Sequence, residues 1–520
     1  MGAPLALATT VKGLGIVAAA LAAAGVFALR SKRQRALCAL AALVLTPVLV
    51  VAELWNTDQI RHLRDHPGQA ALAAALGVIA VAALAAVFRR RPWLVPLLTV
   101  LTLPVRIPLS TAGTSANILV PLYVVVAGGV VAYILERVRG DGEGWQERSP
   151  STVELALVGY VVLYSVQSLY SNDFEQAVKN VAFFYVPFAL LLKLLVTIRW
   201  SRRLVIQCFG LAVLLALVFA GIGFWEYATR QLLWNRKVIE SNQFESYFRV
   251  NSLFFDPNIY GRFLALVMIA LTAIVLWGGR RRDGLLSAAV LAWLLGGLVT
   301  SFSQSSIAAL LLGLAVLAAW RWDVRATVYA ACALVALAFA VVLVAPASLH
   351  FGLKGNGGST SNATSGRTKL IAGGLELFTR RPLAGYGSGS FQTEYERERN
   401  TNAQNATSAS HTIPVTVAAE QGLIGLAMYV ALVLAGVLVL FRGSARSPPR
   451  IAIAACFAAL LLHTWTYADF LEDPLTWTLL GIGVALARRQ QAPVREAPAE
   501  PVGGCAVGSK ARCAAISSGC

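Results

Sequence analysis

Residues 413–441 read IPVTVAAEQGLIGLAMYVALVLAGVLVLF, with one charged side chain, Glu420, in the whole run. A hydrocarbon core of about 30 Å offers no water to a peptide group, so a run like this crosses it only as a helix. Similar runs recur along the chain. We read about fifteen spans, at 10–29, 36–55, 70–88, 93–109, 116–135, 153–170, 179–198, 204–224, 259–279, 285–301, 305–320, 326–345, 413–441, 451–468 and 474–487. With 520 residues the chain is long enough for several soluble domains, but 57% hydrophobic residues, 13% charged residues and a mean hydropathy of +0.66 exclude them. The expected fold is all-α: a polytopic membrane bundle of about 12–15 transmembrane helices with one large external loop.

Basic clusters test the count independently, because Lys and Arg in short loops stay cytoplasmic. They fall at Arg30–Arg35, Arg89–Arg91, Arg137–Arg148, Arg199–Arg203, Arg280–Arg282, Arg321–Arg325, Arg442–Arg450 and Arg488–Arg489, all on one face of the fifteen-span arrangement. The organisation expected is N-terminal spans over 1–224, an external loop 225–258, spans over 259–346, a large external loop 347–412, C-terminal spans over 413–489 and a disordered cytoplasmic tail 490–520. Much of the net charge of +18 sits in the short cytoplasmic loops, where anionic lipid headgroups are its partners. No basic helix or aromatic platform accompanies it, which excludes nucleic acid. Of seven cysteines none falls in an external loop, so no disulfide framework is expected. The first apolar run has a thin basic n-region and reads as a retained span.

Polar side chains that a substrate could reach are confined to the external loops. In the N-terminal part, Arg106 lies between Pro104 and Pro108, where the span either breaks around a cavity-facing arginine or ends so that the side chain snorkels outward. Lys179, at the outer mouth of an aromatic-rich span, either meets an anionic ligand or anchors the interface. Loop 225–258 ends in Arg249 and the turn Asp256-Pro-Asn258, with Asn258 a candidate N-cap. Ser301–Ser306 joins two spans through a tight turn that either caps a helix or lines a polar pocket. In the large loop, Arg367 opens an amphipathic segment with Ile371, Leu375 and Phe378 at helical spacing. Arg380, Arg381 and the expected flexible turn Gly385-Tyr-Gly-Ser-Gly389 follow. His463 and Asp469, before the last span, either close an outer pocket or join helices.

His411 stands at the junction between the large loop and span 413–441. A neutral imidazole there can take a proton from a hydroxyl at working pH. Alone it would be an ordinary cap, but Arg249 and Arg367 give it company, because a guanidinium fork suits a diphosphate leaving group. No carboxylate cluster or DxD pair is apparent in the external loops, so no metal and no other cofactor is expected. Glu420, nine residues after His411, is a secondary candidate beside Arg381, Arg106, Lys179 and Asp469.

The order Arg249…Asp256-Pro-Asn258, Ser303-Gln-Ser-Ser-Ile, Gly366-Arg367…Arg381-Pro-Leu-Ala-Gly385-Tyr-Gly-Ser-Gly-Ser-Phe391 and His411-Thr-x9-Gly-x-x-Gly425 resembles the O-antigen ligase and polymerase superfamily over about residues 245–430. The resemblance implies a GT-C-like glycosyltransferase of the bacterial cytoplasmic membrane. It would move a glycan from an undecaprenyl-diphosphate carrier to an acceptor glycan or glycolipid on the outer face, inverting the anomeric centre. His411 would take the role of the family histidine, and Arg249 and Arg367 would hold the diphosphate. Thr412 departs from the Asn often found after that histidine, with helix capping expected to survive the change. The competing reading is a polytopic transporter or a flippase of lipid-linked glycan, for which matched broken helices in the two halves would be the sign. None is apparent.

Overall fold

In a computed structural model, the chain is described over residues 2–55, 61, 64–111, 114–139, 145–146, 148–233, 238–239, 242, 248–277, 281–327, 329, 367–399, 410 and 412–491. For 2–9, 107–111, 114–118, 281–283, 367, 446 and 491 the backbone alone is described. The helices are α1 (Gly2–Ala28), α2 (Lys32–Leu54), α3 (Pro67–Arg90), α4 (Leu94–Thr102), α5 (Val120–Arg139), α6 (Thr152–Gln167), α7 (Phe174–Thr197) and α8 (Arg202–Thr229). After them come α9 (Pro257–Trp277), α10 (Arg281–Thr300), α11 (Gln304–Arg321), α12 (Arg367–Arg380), α13 (Phe391–Arg399), α14 (Ile413–Phe441), α15 (Pro448–Thr466) and α16 (Pro474–Gln491). Among the described residues, eleven helices are long and apolar enough to cross a membrane, and a shorter apolar stretch lies within α10. The protein is an all-α multi-pass membrane bundle. The expected span 326–345 lies almost wholly outside the described residues.

One span is corrected. Helix α4 stops at Thr102 and is nine residues long, and at about 1.5 Å per residue it is too short to cross. The chain continues through Pro104 to Arg106 into an antiparallel hairpin, β1 (Ile107–Thr111) paired with β2 (Thr114–Ile118). Pro104 and Pro108 remove donors that a continuing helix would need. Irregular backbone at such a place is tolerated where protein or a wet cavity covers it, and Arg106 faces a cavity.

Two apolar cores meet in the bundle. One joins α1, α2, α5, α6, α7, α14 and α16, and the other α8, α9, α10, α11 and α15. The basic ends of the helices gather at one end of the bundle. Gln146 N–H donates to the Thr197 carbonyl (2.7 Å), Arg488 reaches the Ser149 carbonyl (2.8 Å) and Glu154, and Arg489 reaches the Trp200 carbonyl (2.9 Å). At the other end the segment 382–391 docks on the α6–α7 link and on α14. Tyr170 O–H donates to the Ala384 carbonyl (2.7 Å) and Ser171 O–H to the Ser388 carbonyl (2.8 Å).

The large loop's helix α12 is amphipathic, but it buries a different stripe from the expected one. Leu370, Gly373, Gly374 and Leu377 face α14 and α13, while Leu375 is exposed and Ile371 and Phe378 are half-buried. The two glycines present no side chain, so Tyr395 packs directly against Gly373, and Val415 and Phe391 against Gly374. The turn after it is not flexible. Residues 385–391 are buried, with Gly385, Gly387 and Gly389 all at positive φ. Gly387 (φ +100°) leaves no room for a β-carbon, which would lie 2.4 Å from Ser171 Cα.

Helix α14 is kinked at Gly422 (φ 64°, ψ −161°), a backbone region open only to glycine. The kink lets Leu423 N–H reach the Pro382 carbonyl (2.7 Å), so the large loop is tied to the helix at the break. A β-carbon at 422 would meet the Leu383 carbonyl group at 2.4 Å. Gly422→Ala is therefore expected to cost at least about 1–3 kcal/mol, read as a lowered thermal midpoint in detergent. An unchanged midpoint would remove the kink from the account.

Candidate functional site

At the end of the bundle opposite the basic clusters, a cavity of about 210 Å³ lies between α6, α7, α14 and the α15–α16 link. Each wall is set by a local feature. Helix α7 widens into a π-helical turn over Asn180–Tyr185, a distortion frequent at functional sites. It turns Asn180 and Tyr185 inward. Asn180 Nδ2 donates to Tyr164 Oη (2.7 Å), and Tyr164 and Tyr185 meet edge to face at 4.8 Å. From α14 come Thr416, Val417, Glu420 and Gln421, and from the start of the hairpin segment comes Arg106. The α15–α16 link, residues 467–473, supplies Asp469 and Glu472. Asp469 is held at a left-handed φ of 62°, uncommon for a non-glycine residue.

The charges divide by task. Glu420 is an anchor: its carboxylate accepts from Gly389 N–H (2.9 Å) and Phe391 N–H (3.2 Å), and its carbonyl accepts from Gly387 N–H (2.8 Å). It thus pins the glycine turn against the cavity wall. Glu472 accepts from Tyr185 O–H at 2.9 Å. Burial, with Asp469 beside it, pushes Glu472 up to about 7. Burial also raises Asp469, opposed by Arg262 and Arg106. Arg106, whose side chain is part-buried, forms no hydrogen bond or ion pair with any described residue.

The shift at Glu472 carries a sign. Its folded pKa lies above its ordinary value of 4.5, so between those values the folded chain binds more protons than the unfolded one. Stability is expected to fall as pH rises from about 4.5 to about 7, and Glu472→Gln is expected to remove that part of the fall. Thermal midpoints of both chains across this range check it.

The sequence candidates fall into three groups. Glu420, Asp469 and Arg106 line the cavity together. Arg249 lies outside its lining. Its Nε donates to the Ser301 carbonyl (3.2 Å) and Nη2 to Asn258 Oδ1 (3.3 Å), leaving Nη1 without a partner among the described residues. Lys179 pairs with Glu53 at 3.8 Å and does not line the cavity. Arg381 stacks on Tyr386 at 4.5 Å, and Arg380 pairs with Glu376 and Glu398 on the surface. Arg367 begins α12 with only its backbone described, and His411 lies outside the described residues. The chain on both sides of His411 reaches the cavity wall. Ser410 N–H donates to Thr416 Oγ1 (3.0 Å), and Ile413 lines the cavity.

Three local readings change. Asp256, not Asn258, caps α9, accepting from Asn258 N–H at 2.6 Å, and Asn258 Oδ1 is left to Arg249 and to Ser303 O–H (2.8 Å). Thr412 occupies the N-cap position of α14, but its side chain makes no capping bond. At Ser301–Ser306 the turn caps a helix: Ser303 caps α11, and Ser305 and Ser306 lie 3.3 and 3.2 Å from Nε2 of the buried His463. That network ties Arg249 to α15, whose C-terminal link carries Asp469 and Glu472.

Missing from the sequence reading are Glu472, Gln421 and the four tyrosines of the lining, Tyr160, Tyr164, Tyr185 and Tyr429. Their partners are far away in the chain, as with Tyr185 and Glu472, separated by 287 positions. The one local signal was acidic composition, Asp469 with Glu472-Asp473, in a link otherwise read as a helix interface. Asp469 and Glu472 share one wall of the cavity.

The fold and site define a multi-pass membrane protein with an acidic, tyrosine-lined cavity at one end of the bundle. Residues 289–430 match the family model described as O-antigen ligase, a match that supports the O-antigen ligase superfamily. The matched segment supports an enzyme of the O-antigen ligase or polymerase type. No curated protein matches it.

Proposed function

We propose that the chain transfers a glycan from an undecaprenyl-diphosphate carrier to the hydroxyl of an acceptor glycan or glycolipid, at the outer face of the bacterial cytoplasmic membrane. The observation that carries this reading is the family match, together with where the matched segment lies. That segment supplies Gly389, Ile413, Thr416, Val417, Glu420 and Gln421 to the cavity, and the chain flanking His411 ends on it. The basic clusters at the opposite end of the bundle support the outer face.

In the proposed reaction His411 takes the proton of the acceptor hydroxyl as its oxygen bonds to the anomeric carbon of the donor sugar. The bond from that carbon to the diphosphate oxygen breaks, and undecaprenyl diphosphate leaves with the electron pair. Attack and departure on opposite faces invert the configuration. Arg249 and Arg367 meet the charge that develops on the diphosphate. Arg249 is suited to this, since Ser301 and Asn258 fix its plane and leave Nη1 without a partner among the described residues.

The test is transfer by the full chain in proteoliposomes, with undecaprenyl-diphosphate-linked glycan and candidate acceptors, reading both acceptor product and released undecaprenyl diphosphate. Arg249→Ala is expected to lower transfer by about 10²–10³-fold, the usual cost of one preorganised donor to developing charge. Unchanged transfer in both folded His411→Ala and folded Arg249→Ala would remove the mechanism.

A further inference from the structure

Arg249 stands at one end of a chain of polar side chains that crosses three helices. Its Nη2 donates to Asn258 Oδ1 (3.3 Å) at the start of α9, and Ser303 O–H donates to the same oxygen (2.8 Å) from the cap of α11. Ser303 Oγ lies 2.7 Å from Ser306 Oγ, and Ser306 Oγ lies 3.2 Å from Nε2 of His463 on α15. Ser303, Ser306 and His463 are wholly buried. Two local features allow the approach. Phe302 sits at a left-handed φ of 49°, uncommon outside glycine, between Ser303 and the Ser301 carbonyl that accepts from Arg249 Nε. On α9, Gly261 leaves the serines room, because a β-carbon there would lie 2.8 Å from Ser306 Oγ and 3.0 Å from Ser301 Oγ.

Counting hydrogens gives the chain a direction. An amide oxygen only accepts, so the Ser303 hydrogen is committed to Asn258 Oδ1. The single hydroxyl hydrogen of Ser306 goes to Ser303 Oγ or to the Asn258 carbonyl (3.2 Å), and none remains for the imidazole. Nε2 of His463 is therefore the donor, to Ser306 and to Ser305 Oγ at 3.3 Å. From His463 onward the donors run toward Asn258, and a flipped amide would set its own donor nitrogen against Ser303 and Arg249. A satisfied buried network rigidifies what it holds. Joining the helices does not require it, since apolar side chains of α9, α11 and α15 already share one core. What the chain adds is a single orientation for the Arg249 guanidinium.

Resting on the reading that Arg249 meets the charge developing on the diphosphate, we propose that His463 is a positioning residue for that reaction. It lies outside the cavity lining and acts through Ser306, Ser303 and Asn258 to keep Arg249 aimed. A donor held in place before charge develops stabilises it more than one that must reorient.

The test is the transfer assay on the full chain in proteoliposomes, with rates normalised to folded protein. His463→Phe keeps a ring and removes the donor. It is expected to lower kcat about tenfold, within the roughly hundredfold that a misplacement of about 1 Å can cost, and to leave KM for the acceptor unchanged. His463→Gln, whose amide nitrogen reaches the place of Nε2, is expected to recover most of that loss. In an Arg249→Ala background His463→Phe is expected to lower kcat by less than about twofold more, because residues that act through one contact are not additive. A histidine that only packed helices would lower the yield of folded protein, and any effect on kcat would be the same in both backgrounds. Should His463→Phe fail to fold, Ser306→Ala breaks the chain one link nearer Arg249, with the same expected loss and the same comparison. Undiminished kcat in the folded variant, or a loss that multiplies with that of Arg249→Ala, overturns the proposal and leaves the role of Arg249 standing. Undiminished transfer in Arg249→Ala itself would overturn that role, and this proposal with it.

Discussion

Replacing His411 by Ala is expected to lower kcat for glycan transfer by about 10²–10⁴-fold, the usual contribution of a positioned general base. KM for the lipid-linked donor is expected to change little. That separation matters because a histidine that merely capped α14 would change stability and leave kcat per folded molecule alone. Thr412, at the N-cap position, makes no side-chain capping bond, and Thr416 ties down Ser410. Steady-state kinetics normalised to folded protein check this, with Gln at 411 as the conservative comparison. A fall in kcat of less than about threefold in folded His411→Ala protein would take the acceptor-activating role away from this residue.

The second large effect concerns the frame that carries the acidic link. Arg262 on α9 and Asp473 at the start of α16 are almost wholly buried and meet at 2.5 Å. Asp473 also accepts from Leu475 N–H at 3.0 Å, so one carboxylate sets both the helix start and the interhelical contact. Removing one member leaves a buried charge uncompensated, at a cost of about 3–5 kcal/mol. Arg262→Leu is therefore expected to lower the thermal midpoint and the yield of folded protein sharply. Arg262→Leu combined with Asp473→Asn is expected to recover much of the loss, because neither charge then remains. If the single change is no worse than the double one, the pair is not what holds α9 against α16.

Much of the bundle was legible because its causes are local. An apolar run of sufficient length has one way to satisfy its backbone in lipid, and the arginines between runs mark one end. The errors come where a cause is not local. Residues 93–109 are apolar enough for a span, yet what lies after Thr102 depends on Pro104, Pro108 and a cavity formed by helices far along the chain. In α12 the hydrophobic pattern pointed to Ile371, Leu375 and Phe378, whereas close packing selects Gly373 and Gly374, which a hydrophobicity pattern cannot score. The glycine turn 385–389 reads as flexible in isolation. It is rigid because Glu420, 31 residues beyond Gly389, binds its amides.

The candidate site shows the same division. Glu420, Arg106 and Asp469 were recognisable as charges in unusual company, each with an equally good structural explanation. Only the fold shows that they share one cavity, that Glu420 serves the glycine turn, and that Glu472 lies beside them. Arg249 was singled out because the Asp-Pro-Asn turn did not need it. The fold agrees, spending Asp256 on the cap and Asn258 on orienting that arginine.

The central claim is that glycan transfer takes place in the cavity at the end of the bundle away from the basic clusters. Gln176 lines that cavity at the start of α7 and is part-exposed. The direct measurement is transfer by Gln176→Cys protein in sealed vesicles of known orientation, before and after a bulky membrane-impermeant maleimide is added on the side away from the basic clusters. The unsubstituted chain is treated in parallel. The account predicts that labelling from that side stops transfer in the cysteine variant and spares the unsubstituted chain. Full labelling with transfer undiminished would contradict it.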